Sequence, residues 1–384
     1  MWGRFFGSAL ARALLHVVLF NFCFAYNDFS DEDYNTAFPN NEDKGSLKMV
    51  VVMFRHGNRT PNGEEELYPL DPYLNKTYFP YGLGQLTNAG KRKQYLVGLE
   101  LRRRYDRFLG DYYYPELVEA RSTHYNRTKM SLQLVLAGLF PPRKDDEVLG
   151  MPWQPVPYNY LPVKQDDILM GSNCRRYLEL YKEYSSRPSV QEKFAKYGET
   201  FKYISEHTGL NITTFKDIYN LHFGLSTEEE YGLKLPDWTK SVWPEPMTKI
   251  FPEEYYIAMG TADMRRIAIG NFLKKVLDDT KAKITDHRKL GRKMYLYSAH
   301  ESTLSYLMIS LRIFEKHIPT YGAYVVMELH RIRGVYGFKI FYKKWDGSGL
   351  RLIEMPGCKE FCPLDVFTSL LADNLPTSDN MCGN

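Results

Sequence analysis

The chain has 384 residues, 44% hydrophobic and 25% charged, a globular composition long enough for two domains or for one large domain with an insertion. A formal net charge of +4 is too small to argue for nucleic acid, and no basic cluster interleaves with aromatics as such a face requires. The 30 tyrosines and 22 phenylalanines fit a large core and aromatic-lined clefts.

Residues 1–25 read as a secretory signal peptide. Arg4 and Arg12 are the only charges there, and Leu14 to Phe24 is mostly apolar, interrupted by His16 and Asn21. The run is too short to span a membrane comfortably, and no second run of spanning length follows. The expectation is a soluble protein without a membrane anchor, secreted or lysosomal. Residues 26–45 are acidic and poor in β-branched residues, a disordered lead-in.

Val50-Val51-Val52-Met53-Phe54 predicts a strand buried on both faces, and it stops at Arg55-His56-Gly57. Arg59, Pro61 and Asn62-Gly63 follow in a loop. In open α/β sheets ligands bind where buried strands end. Two guanidiniums beside an imidazole suit a phosphate: the arginines grip its oxygens and the imidazole can attack phosphorus. Gly57 would let the backbone approach the anion closely. Thr87 can cap a helix running to about Leu109, closed by Gly110. Arg102-Arg103-Arg104 lies in that helix and reads as a solvated face.

A second strand, Glu116 to Arg121, ends in an arginine just before a helix from about Tyr125 to Ala137, a natural anion site. Composition then shifts. Between about 150 and 255 the chain is proline-rich, then polar, tyrosine-rich and helix-like, without strand patterns; Trp238 is a candidate wall of the substrate entrance. A third strand, Met294 to Ala299, ends at His300-Glu301, and three antiparallel strands follow, Ala323 to His330, Tyr336 to Tyr342 and Leu350 to Met355.

Three strands thus deliver Arg55-His56, Arg121 and His300-Glu301 to sheet ends. Phosphoryl transfer needs charge neutralisation, a nucleophile and a proton for the leaving alkoxide. Arg55, Arg59, Arg121 and His300 can hold the phosphate oxygens, His56 can be the nucleophile, and Glu301 the general acid. A zinc-protease reading fails because the fifth position after His300-Glu301 is Leu304, not histidine. Gly347-Ser348-Gly349 is not a nucleophile elbow.

Cys23 lies in the signal, leaving Cys174, Cys358, Cys362 and Cys382, which allow three pairings. The tight loop after Pro356-Gly357 favours Cys358 with Cys362, and Cys174 would then join Cys382. Asn-x-Thr sequons stand at Asn58, Asn75, Asn126 and Asn211. Glycans are expected on Asn75 and Asn211, while one on Asn58 would fill the pocket.

The stretches Arg55-His56-Gly57-Asn58-Arg59-Thr60-Pro61 and Ser298-Ala299-His300-Glu301 resemble the two signatures of the histidine acid phosphatases, a family that includes the prostatic and lysosomal enzymes. The likeness extends through Gly84-Gln85-Leu86-Thr87, Arg121-Ser122-Thr123, Arg127-Thr128, Leu139-Phe140-Pro141-Pro142, Leu235-Pro236-Asp237-Trp238 and Cys362-Pro363-Leu364. It implies a phosphohistidine intermediate, an acidic optimum and no metal or other cofactor. It puts His56 in the nucleophile's place, and Arg55, Arg59, Arg121 and His300 in the phosphate binders' places. The family's cysteine pattern would likewise pair Cys174 with Cys382 and Cys358 with Cys362. The chain departs from the family at Glu301, usually Asp, at Asn58, usually Asp, and at His124, where an acid is common.

The expected fold is α/β: an open, twisted, mainly parallel sheet with flanking helices, plus a smaller inserted helical cap. Residues 46–150 and 255–384 would form the phosphatase domain, and 151–254 the cap. The substrate would be a small-molecule or phosphoprotein phosphate monoester, and a homodimer is the candidate assembly. The alternative is a catalytically weak secreted protein that binds phosphorylated ligands; a phytase-like enzyme is a third reading, but no extra lysine cluster points to a polyphosphorylated substrate.

Overall fold

The computed structural model describes residues 45–285, 292–378 and 381–382. The expected signal peptide, and all of the lead-in but Gly45, lie outside them. β1 (Leu47–Arg55) is buried almost throughout, as a continuous apolar run demands. α1 (Asn88–Leu109) is capped by Thr87, whose side chain accepts the Gly90 amide, and it ends at Gly110 with φ +85°. β2 (Val118–Ser122) and α2 (Asn126–Leu139) follow.

The next stretch is helical: α3 (Arg175–Ser185), α4 (Pro188–Ala195), α5 (Gly198–Thr208), α6 (Phe215–Glu230) and α7 (Met247–Ile250). Among the described residues, no strand of the sheet lies between 151 and 254. This part has its own apolar cluster, in which Phe201, Ile204, Phe215, Ile218 and Leu221 pack with Tyr68. A reciprocal Thr214–Asp217 capping box starts α6.

α8 (Glu253–Ala258), α9 (Ala262–Arg265) and a π-helical turn at Arg266–Gly270 lead into α10 (Asn271–Thr285). β3 (Met294–Ala299) and α11 (Glu301–Ser310) come next. The chain closes with β4 (Tyr324–Ile332), β5 (Val335–Lys343), β6 (Arg351–Ile353), β7 (Cys362–Pro363) and α12 (Leu364–Leu371).

The strand order is β2-β3-β1-β4-β5-β6, with β7 also paired to β5. The α/β class is the one expected, but the sheet is mixed rather than mainly parallel. β2, β3 and β1 run parallel, whereas β4 is antiparallel to β1, and β5 to β4. Parallel neighbours need long crossovers, which the helices before β3 supply. After α11 no helix stands between β4, β5 and β6, and these strands fold back on one another antiparallel. One sheet face packs on α10, α11 and α12 through residues such as Met53, Tyr297, Phe272, Leu304 and Phe367. Toward α2, the Ser298 hydroxyl donates to the Thr128 carbonyl at 2.8 Å.

Gly57 serves a different neighbour from the one expected. A Cβ there would collide with the backbone of Gly90, and one at Gly90 with Asn58. The close approach is between the strand-end loop and the first turn of α1.

The structure forms the Cys358–Cys362 disulfide. Cys174 and Cys382 are not joined; they are free thiols that line one small cavity. Trp238, expected at the entrance, does not line the cleft; it packs edge-on to Tyr68, with ring centroids 5.9 Å apart, and alongside His207 at 6.0 Å.

Candidate active site

The parallel half of the sheet builds the site. Arg55 at the end of β1 pairs in register with Ala299 at the end of β3. The next residues, His56 and His300, therefore meet, with ring centroids 5.5 Å apart and edge to face. β2 ends beside them, Ser122 opposite Ser298, and places the Thr123 hydroxyl 3.0 Å from Nε2 of His300. Both rings open on a cleft of about 400 Å³, also lined by Arg59, Arg127 and Glu301. α6 adds Lys216, Tyr219 and Asn220 to its wall, and α8 adds Glu254.

His56 is 1% exposed, and its Nδ1 lies 2.8 Å from the Gly57 carbonyl. A carbonyl can only accept, so Nδ1 carries the hydrogen and Nε2 keeps its lone pair. Each arginine is held through part of its guanidinium and leaves other N–H groups without a hydrogen-bond partner. Arg55 Nη1 donates to the Pro319 carbonyl at 2.6 Å, its guanidinium lies 3.7 Å from the Tyr321 ring centre, and Nε is 3.8 Å from Glu301 Oε2. Arg59 makes a two-pronged pair with Glu66 at 2.7 and 2.5 Å. Arg127 donates to Asn62 at 3.2 Å and lies over the Tyr125 ring, 4.4 Å from its centre. Nε and Nη2 of Arg55, Nε of Arg59 and Nε of Arg127 are buried without a hydrogen-bond partner. Such donors cost stability unless an anion meets them.

Arg121 is the correction. Neither Arg121 nor Arg55 is among the residues lining the cleft, but Arg55 stays at its edge through Glu301, whereas Arg121 is turned to another partner. Its guanidinium is tied to the buried Asp166 at 2.6 Å, and that carboxylate also accepts the Leu169 amide at 3.0 Å. Arg121 pairs with Tyr297 and is level with Met53, two positions short of Arg55 and Ala299 at the sheet end. Arg127, in the first turn of α2, reaches the cleft instead. Arg121 anchors the segment that brings Leu169 and Met170 to the cleft wall.

Glu301 opens α11 and is 4% exposed. The Tyr219 hydroxyl donates to its Oε1. Asn58 and His124 do not line the cleft. Asn58 donates to Glu230 at 2.8 Å, and His124 faces Tyr160. Glu66, Arg127 and Tyr219 escaped the reading of strand ends, because none sits at one. The Arg127-Thr128 pair inside the family-like stretch was the available signal for Arg127; no signal pointed to Tyr219.

The electrostatics are those of an anion site. Burial first, then the charges of Arg127 and Arg55, push His56 well below its ordinary value. Burial and Arg127 bring His300 down to about 3. Both imidazoles are neutral across the mildly acidic range. Burial, then Arg59, lowers Arg127 to about 10, so it keeps its charge. Burial pushes Glu301 up, but Arg55 and then the Tyr219 hydrogen bond outweigh it and hold the carboxyl below its ordinary value. No group of three or more metal-ligating side chains occurs among the described residues.

The fold and these strand-end signatures define a phosphoryl-handling class. The sequence pattern of the histidine phosphatase superfamily (branch 2) matches residues 46–343, and the chain belongs to that family. It is similar to venom acid phosphatase Acph-1 of Apis mellifera, 37% identical over 343 residues and covering 88% of each chain. It is also similar to lysosomal acid phosphatase of Homo sapiens, 29% identical over 339 residues, covering 86% of this chain and 78% of the relative. Among solved structures it shares its fold with a Hafnia alvei phytase, at TM-score 0.66 and 14% identity over 88% of this chain and 98% of that one. A Klebsiella sp. ASR1 phytase gives 0.63 and 16% over 87% and 98%.

Proposed function

We propose that the protein is an acid phosphatase of the secretory route or the lysosome, which hydrolyses phosphate monoesters through a phosphohistidine at His56. One observation carries this: a neutral imidazole with a free Nε2 is ringed by arginine N–H donors that lack partners. Nε2 attacks phosphorus, and the ester P–O bond breaks as the Nε2–P bond forms. The arginines and His300 hold the phosphoryl oxygens, and Glu301 gives its proton to the departing alkoxide oxygen. Glu301, now a carboxylate, takes a proton from water as that water attacks phosphorus. The Nε2–P bond breaks, and phosphate and neutral His56 are restored. The Gly57 carbonyl steadies the imidazolium of the intermediate through Nδ1–H. Arg55, Arg59, His300 and Arg127, rather than Arg121, are the oxygen binders in this reading.

We further propose that residues 151–254 act as a cap over the cleft; the support is that α6 contributes Lys216, Tyr219 and Asn220 to its wall. The secretory reading rests on the sequence of residues 1–25 and on relatives named for venom and lysosome. Among the described residues no helix is long and apolar enough to cross a membrane.

The test is hydrolysis of p-nitrophenyl phosphate from about pH 4 to 8 with a chelator present, together with acid quench to trap a phosphoenzyme. Turnover should resist the chelator, and His56→Ala should lose about 10⁴-fold or more along with the trapped intermediate. Full turnover by His56→Ala, or loss of activity to the chelator, refutes the mechanism.

A further inference from the structure

Glutamate at position 301 presents its carboxyl on one more rotatable bond than aspartate would. A misplacement of roughly 1 Å in a reacting group can cost about a hundredfold, so something must fix that carboxyl. The structure shows what does. Tyr219, on α6, donates its phenol hydrogen to Glu301 Oε1. The Tyr219 ring is itself clamped. It stacks on Phe251 with ring centroids 4.7 Å apart, meets Phe223 edge-on at 5.1 Å, and has the Lys216 ammonium 4.1 Å from its centre. The second oxygen, Oε2, is 3.8 Å from Arg55 Nε, and Arg55 directly precedes His56.

We propose that Tyr219 is the positioning residue for the general acid: it pins Oε1 of Glu301 so that Oε2 is the oxygen that protonates the leaving group. The inference rests on Glu301 being that acid. Burial, then the Glu301 charge, holds the Tyr219 phenol well above its ordinary value, so the phenol stays a donor throughout the working range. As Oε2 releases its proton, negative charge spreads to Oε1, and the phenol hydrogen bond strengthens where that charge develops. Tyr219 itself exchanges no proton with substrate.

A leaving group that needs no proton hides a defect in the acid; one that needs a proton exposes it. The experiment compares Tyr219→Phe, Glu301→Gln and the double variant on p-nitrophenyl phosphate, a good leaving group, and on glycerol phosphate, a poor one. Inorganic phosphate inhibition serves as a check that the cradle is intact. Tyr219→Phe should lower kcat on glycerol phosphate by about 10- to 100-fold and on p-nitrophenyl phosphate by much less, with phosphate inhibition unchanged. It should add nothing on top of Glu301→Gln. Equal losses on both esters, additivity with Glu301→Gln, or weakened phosphate inhibition would reduce Tyr219 to a packing residue. If Glu301→Gln itself fails to discriminate between the esters, the acid lies elsewhere and the proposal falls with that reading. If Glu301→Gln discriminates and Tyr219→Phe does not, only the role of Tyr219 falls.

Discussion

Arg121 and Arg127 lie six positions apart, and only Arg127 lines the cleft. Replacing each by alanine should produce opposite phenotypes. Arg127 has a buried Nε without a partner and one bond to Asn62. With a phosphoryl group bound it can supply about two charge-assisted hydrogen bonds, each contributing about 1.5–3 kcal/mol. Arg55 and Arg59 can take up part of that loss, so about 3–4 kcal/mol remains, roughly 10²–10³-fold in kcat/KM. Arg127→Ala also removes a cation that burial and the neighbouring Arg59 already disfavour, so the ligand-free protein should be no less stable. Arg121→Ala does the reverse. It strips the buried Asp166 of its ion-pair partner, a change that typically costs about 3 kcal/mol. Its kcat/KM per folded molecule should stay within about threefold, since Arg121 is absent from the cleft lining. Steady-state kinetics, phosphate inhibition and urea midpoints on the two variants decide the matter. Phosphate binding lost in Arg121→Ala and kept in Arg127→Ala would refute the placement argued above.

Two further expectations concern pH. In the empty site Arg55 and Tyr219 hold Glu301 below its ordinary value against the upward push of burial, whereas a bound phosphoryl anion pushes the carboxyl up. The limb on which activity falls with rising pH should therefore lie at higher pH in kcat than in kcat/KM; coincident or reversed limbs would show that Glu301 is not the group titrating. The second concerns Asp71 and Glu228, whose carboxyls face each other in the interior: burial, then the Asp71 charge, pushes Glu228 well above its ordinary value. A raised acid stabilises the fold fully below its unfolded pKa and loses that contribution as pH rises through the folded one. The melting temperature should fall from about pH 5 to pH 8, and Glu228→Gln should flatten the fall. A wild-type melting temperature that rises over that range, or an unchanged slope in the variant, would sink the assignment.

The legible parts of the chain were those where one physical requirement dominates. A five-residue apolar run with three valines cannot be exposed, so β1 and its end were readable, and with them Arg55 and His56. Thr87 and Gly110 mark α1 because capping leaves a local signature. The mixed sheet was legible strand by strand, since the last three strands read as antiparallel, but not as a whole, because pairing order follows from crossovers rather than from any one segment. Arg121 was misplaced because nearness to a strand end does not settle how far along the sheet a residue lies: it is level with Tyr297 and Met53, two positions short of Arg55 and Ala299. Tyr219 was invisible for a different reason: its partner, Glu301, is 82 positions away, and a tyrosine among 30 carries no local mark of the contact it makes.

The charges around His56 also bear on why the working range should be acidic. Arg55, Arg59 and Arg127 carry three positive charges and Glu66 and Glu301, which face them, two negative ones, a net +1 that Lys216 and Glu65 in the cleft wall leave unchanged because they cancel. Such a site is best matched by one negative charge. A phosphate monoester carries a single charge below its second pKa of about 6 and approaches two above it. A dianion would leave one charge uncompensated in a desolvated cleft unless Glu301 stayed protonated. Low pH supplies either remedy, a monoanionic substrate facing the ionised carboxylate or a protonated Glu301 facing the dianion, and the second is the state that can donate a proton. The neutral state of His56 does not oppose it, because burial and three arginines hold the imidazole unprotonated there. The acidic preference is thus a property of charge balance in the whole cradle rather than of one titrating residue, and Glu66 belongs to that balance although it has no step of its own in the reaction.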